Sequence, residues 1–131
     1  MRKLILTLAT LLLSSSLFAQ KQDFEDIFKD GTLRIDYTFM GNASEQYVAL
    51  REMSYTDNWY GRRINLDNVP LKGNGDLTLT DIATGATIYK TSFSSLFQEW
   101  ITTPEALELS KSFEFTLLVP MPLNKCVATL V

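Results

Sequence analysis

Residues Ser112 to Val119 set Phe113, Phe115, Leu117 and Val119 on one side and Glu114, Thr116 and Leu118 on the other. A two-residue period is the side-chain period of a β-strand, so this stretch predicts a half-buried strand. The pattern recurs at Thr32 to Met40, where Leu33, Ile35, Tyr37 and Phe39 alternate with Arg34, Asp36 and Thr38. Glu45 to Tyr55 keeps Val48 and Leu50 in phase, then shifts at Met53 and Tyr55, which predicts a bulge or a strand end near Arg51. Asp76 to Ile82 and Ala86 to Phe93 flank Ala83-Thr84-Gly85, a hairpin whose glycine supplies the positive φ. Pro120-Met121-Pro122 is expected to stop the ladder, since proline has no N–H to donate. A further strand runs from Lys125 to Val131, and ending inside an apolar β-run suggests a truncated domain. The expected fold class is therefore all-β, mainly an antiparallel β-sandwich, with one short helix and an N-terminal signal-peptide helix.

The corner of this fold is expected at Phe93 to Ala106, which gathers Phe93, Phe97 and Trp100. Aromatic side chains of this size dominate the burial energy of a small domain. Thr103-Pro104-Glu105 reads as a helix start, with a capping hydroxyl, proline at the first helical position and an acid in the first turn. That helix is expected to run to about Leu109. Near the start, Phe24, Ile27 and Phe28 sit at helical spacing, predicting a short amphipathic turn ended by Gly31.

Met1-Arg2-Lys3 is basic, Leu4 to Leu13 is apolar apart from Thr7 and Thr10, and Leu17-Phe18-Ala19 precedes Gln20. This is the pattern of a secretory signal peptide over 1–19, too short to serve as a spanning anchor. One domain over 20–131 follows, exported to the periplasm or fully secreted, with no membrane attachment after cleavage. The chain has 12 basic and 15 acidic residues, and losing Arg2 and Lys3 makes it more acidic. That balance, without a basic run, argues against nucleic acid as a partner. Cys126 is the single cysteine, so no internal disulfide can form, and its expected role is a small apolar strand residue.

The sequence contains no histidine. This excludes a Ser-His-Asp or Cys-His arrangement and any histidine metal ligand. Asp67, Asn68, Asn74 and Asp76 offer oxygen ligands, but their spacing fits no EF-hand and Asn-Gly-Asp is ordinary turn chemistry. No cofactor and no metal is expected. Asn42-Ala43-Ser44 matches a glycosylation pattern, though a turn explains it as well. Glu99 and Glu105, or Glu25 and Asp26, would serve a carboxylate hydrolase only if brought about 5 to 9.5 Å apart across a cleft. The candidate binding surface is Trp59, Tyr60, Arg62 and Arg63, residue types that anchor interfaces and would suit a glycan or protein ligand. The competing reading folds Trp59 back over the core, because large apolar groups are seldom left exposed.

Several segments taken in order resemble a known family. They are Gly31 to Tyr37 (Gly-Thr-Leu-Arg-Ile-Asp-Tyr), Gly41-Asn42-Ala43, Asp81 with Thr84-Gly85 and Ile88-Tyr89, the run Phe93 to Ala106 with its Leu-Phe-Gln-Glu-Trp-Ile-Thr-Thr, and Ser112-Phe113 ahead of Val119 to Pro122. The chain is similar to the N-terminal domain of the IgA-peptidase metallopeptidases, the sixty-fourth metallopeptidase family, over nearly the whole of 20–131. The resemblance implies a non-catalytic β-domain that precedes a zinc-binding catalytic domain in the same polypeptide. No zinc ligand or catalytic residue of that second domain has a counterpart here. The implied role is an accessory domain, present as a fragment or a stand-alone copy, and the alternative is an independent exported binding module.

Overall fold

The structure, a computed structural model, describes residues 23–69 and 71–131. The expected signal peptide lies outside the described residues. A four-residue helix α1 (Phe24–Ile27) leads into β1 (Phe28–Gly41), followed by β2 (Gln46–Asp57), β3 (Gly75–Asp81) and β4 (Thr87–Phe93). Then come α2 (Leu96–Trp100), a 3-10 turn (Pro104–Leu107), β5 (Lys111–Pro122) and β6 (Cys126–Leu130). The described strands form two antiparallel three-stranded sheets, in the orders β2-β1-β5 and β4-β3-β6.

The two sheets face each other across one apolar core. Ile35, Tyr37 and Phe39 of β1 and Leu117 and Val119 of β5 meet Leu77 and Leu79 of β3 and Ile88 and Tyr89 of β4. The alternation read from the sequence is what makes this possible, since it sends one row of each strand inward. The bulge falls where the phase changes. Asp36 lies opposite Glu52 while Tyr37 lies opposite Leu50, leaving Arg51 as the extra residue. The added residue keeps Met53 and Tyr55 on the same face as Val48 and Leu50. Gly85, at φ +71, makes the β3–β4 turn.

The aromatic corner closes one end of the core. The Phe97 ring stacks on Phe39, with centroids 5.9 Å apart and planes at 12°, and also touches Trp100 and Phe113. Burying a phenylalanine so fully contributes roughly 1.5–3 kcal/mol. The following 3-10 turn pins the β1–β2 connection, as the Ala43 N–H donates to the Ala106 carbonyl at 3.0 Å.

Four local expectations need correction. Pro120 and Pro122 do not stop the ladder, for β5 pairs with β1 as far as Phe28 opposite Pro122. Among the described strands β5 is an edge, where a proline whose missing N–H faces away breaks no ladder bond, and the pairing also slips between Lys29 and Thr32. The helix expected from Pro104 to about Leu109 is a 3-10 turn that stops at Leu107. Thr103 does not cap it with its side chain; its hydroxyl turns back to donate to the Trp100 carbonyl at 2.7 Å. Instead the corner holds an additional helix, α2, where Ser95 Oγ accepts from the Gln98 N–H at 3.3 Å. Gly31 ends no helix, because β1 begins at Phe28 and Gly31 lies within it, against the Tyr55 ring.

Candidate functional site

The loop after β2 carries Trp59, Tyr60, Arg62 and Arg63, and the structure does not bring them together as one exposed surface. Trp59 is buried, its ring edge-on to Tyr89 with centroids 6.2 Å apart. Its indole N–H donates to the Arg62 carbonyl at 3.0 Å and its backbone N–H to Asp30 Oδ1 at 2.9 Å. Arg62 lies 5.0 Å above the Tyr89 ring and donates to the carbonyls of Asn65, Leu66, Asn68 and Lys90. Arg63 lies 4.6 Å above the Phe24 ring and pairs with Asp30 and, at 3.6 Å, with Glu25. Tyr60 projects outward, 88% exposed. Three of the four side chains therefore hold the loop onto α1, β1 and β4. Asp30 is the residue that sequence reasoning missed. The Trp59 N–H and the Arg63 guanidinium hold its carboxyl below the usual range, and no local pattern links it to residues 29 and 33 positions away.

Glu105, Asp81 and Asp36 are committed to structural partners too. Glu105 Oε2 accepts from Lys111 Nζ at 2.6 Å and from the Trp100 indole at 2.7 Å, and Lys111 first, then Trp100, lowers its pKa. Asp81 accepts from both the hydroxyl (2.7 Å) and the N–H (2.8 Å) of Thr84, which close the β3–β4 turn and lower its pKa. On the outer face of the β2-β1-β5 sheet, the Thr116 hydroxyl and then Arg34 do the same to Asp36. A carboxyl stabilised as its anion is a poor proton donor at neutral pH, so these groups do not make an acid–base pair. Glu99 is exposed. Cys126 is half-buried on β6, and burial together with the Asp81 charge pushes its thiol pKa up, away from the reactive thiolate.

Of the residues considered for calcium, Asn74 serves as a loop fastening and Asp76 lies within β3. Asn74 exchanges hydrogen bonds with the Ser95 backbone, accepting at 2.8 Å and donating at 3.2 Å, which ties the β3 approach to α2. Among the described residues no group of three or more histidine, cysteine, aspartate or glutamate side chains is placed to hold a metal ion. Asn42 makes a turn, its Oδ1 accepting from the N–H groups of Ser44 (2.8 Å) and Glu45 (2.9 Å). A groove with an apolar lining runs between the start of β2 and the end of β6, bordered by Phe39, Tyr47, Val48, Phe97, Leu130 and Val131.

The family model described as peptidase M64 N-terminus matches residues 23–130, which takes in every strand above. The chain belongs to that family. No curated protein matches it. The matched part of an M64 peptidase is the N-terminal domain and not the catalytic one. The zinc that the metallopeptidase family implies does not fit the donors of this M64 N-terminal domain: it has no histidine and one half-buried cysteine.

Proposed function

We propose that this chain is a non-catalytic accessory domain of an exported M64 zinc metallopeptidase, positioned against a catalytic domain that supplies the metal and the chemistry. The observation that carries this reading is the family match across 23–130 in a chain without histidine. A zinc peptidase site requires nitrogen or carboxylate ligands gathered around an open coordination position. The described residues supply aromatic packing and loop-fastening ion pairs, and no group of three or more histidine, cysteine, aspartate or glutamate side chains placed to hold a metal. The domain's contribution is therefore a rigid β-scaffold. Its export rests on the basic start, the apolar run Leu4 to Leu13 and the Ala19-Gln20 junction.

Incubation of the purified protein with fluorescent casein, with and without added zinc, tests the non-catalytic part. No hydrolysis above background is expected in either arm. Zinc-dependent cleavage that co-purifies with the chain through successive columns overturns it. Intact mass of the product exported by a secreting host checks the other part, with Gln20 expected at the new N-terminus.

A further inference from the structure

The middle of the inner face of β2 is apolar and, among the described residues, uncovered. Val48, Leu50, Met53 and Tyr55 lie opposite Phe39, Tyr37, Ile35 and Leu33 of β1, so they share the face that builds the core. Ile35, Tyr37 and Phe39 are 4–8% exposed, yet their β2 neighbours are 51% (Val48), 59% (Leu50), 58% (Met53) and 48% (Tyr55) exposed. Among the described residues the β4-β3-β6 sheet ends at β6, and the exposure of this row means that β2 overhangs it. Glu52 points the other way and Arg51 pairs with Glu114 at 2.7 Å on the outer face, while Asp57 ends the inner row beside Tyr55.

Beside this overhang, β6 presents a bare edge. Asp76 and Val131 exchange two hydrogen bonds, at 2.8 and 3.0 Å, and the Ile82 N–H donates to the Lys125 carbonyl at 3.1 Å. Antiparallel alternation then turns the backbone groups of Val127 and Thr129 toward β3, and those of Cys126, Ala128 and Leu130 away from it. No described strand lies on that side. Cys126 to Leu130 contains no proline, glycine or charge, the devices that usually protect an exposed edge.

We propose that this side is a self-association surface, in which the inner face of β2 packs on the same face of a second copy about a two-fold axis. An apolar sheet face is satisfied by another apolar face about 10 Å away. The stripe of a second copy supplies one of matching width, and an antiparallel two-fold crossing keeps the one inner-row charge of each copy, Asp57 at the end of β2, away from its counterpart. With β2 overhanging by one strand, the partner copy's β2 occupies the missing fourth position of the second layer. Its free edge then runs beside the outward backbone groups of β6, and the same holds reciprocally, as a two-fold contact requires. Four half-exposed large side chains on each copy amount to a few hundred Å² of apolar surface, the size at which a patch marks an interaction site. With the strand edges added, this lies near the lower end of specific interfaces, roughly 1,200 Å² in total, so the dimer is expected to be weak and concentration-dependent.

The test is sedimentation velocity on the purified protein from about 1 to about 200 μM, beside the variants Leu50→Lys and Met53→Lys. The wild type is expected to shift from one to two chain masses across the range. Both variants are expected to stay at one chain mass with unchanged far-UV spectra and melting temperatures at the dilute end. A Glu52→Lys control, on the opposite face of β2, keeps the dimer. A wild type that remains monomeric throughout overturns the proposal. So does a dimer that survives either inner-face lysine.

Discussion

The two lateral sides of this sandwich are built from equally apolar strands and finished in opposite ways. On the β4 side the edge is closed. The Lys90 N–H donates to the Leu66 carbonyl at 2.7 Å, Arg62 reaches the Lys90 carbonyl, and Trp59 lies over Tyr89. The loop that does this bends through Asn58 and Asn65 at positive φ, and the neighbouring β5 edge carries Pro120 and Pro122. On the β2/β6 side there is no covering loop among the described residues, and the apolar row of β2 stays half-exposed. The difference shows that an inward-facing row becomes core only when another layer lies opposite it. Whether that layer exists is a property of topology, not of the row.

The comparison breaks most visibly at Trp59. Trp59→Ala removes the ring that seats the covering loop and leaves a cavity beside Tyr89, and the expected loss is about 3–5 kcal/mol in urea unfolding at constant temperature. A loss below about 1 kcal/mol would mean that the loop is an exposed flap that happens to rest on β4.

A smaller effect probes the core that both sides share. The Tyr37 hydroxyl is buried without a hydrogen-bond partner, and burial pushes its pKa up to about 12. The unfolded chain loses this proton near the ordinary value of 10 while the folded chain keeps it, so the unfolded state is favoured progressively as pH rises from 10 toward 12. Below pH 10 this tyrosine adds no pH dependence. Tyr37→Phe is expected to flatten that alkaline fall and to leave stability at pH 7 equal or slightly higher, because an unpartnered buried hydroxyl contributes nothing to recover. Parallel unfolding curves at pH 7 and pH 11 read both effects. An alkaline fall as steep in the variant as in the wild type would assign it to other groups.

These two sides also explain what could be read from the sequence. The strands, the hairpin at Gly85, the bulge at Arg51 and the aromatic corner are carried by periodicity and turn chemistry, which are local, and the structure has them. Helix α2 was legible as well: Ser95 and Gln98 have the spacing of a capping box, although the nearby Thr103-Pro104-Glu105 offered the stronger local signal. The prolines of β5 were misread because an edge position follows from strand order. Trp59, Arg62 and Arg63 have the residue types of a binding surface, and the same chemistry serves to fasten a loop. What decides between the two is Asp30, Leu66 and Lys90, which only the fold brings near.

The finest test separates the open row from the closed one using a single chemical change. Leu50 and Tyr37 are cross-strand partners on one face, 59% and 5% exposed, and Leu50 has a sequence pattern indistinguishable from that of a core residue. Leu50→Ser is expected to cost at most about 0.5 kcal/mol in unfolding at low micromolar concentration, the range of ordinary surface substitutions. A buried leucine changed in the same way would cost several-fold more. At high concentration the wild type is expected to gain stability with protein concentration, as any association confined to the folded state requires, while Leu50→Ser does not. A loss above about 2 kcal/mol in the dilute sample would mean that β2 is already covered in the monomer, and the contrast between the two sides would collapse.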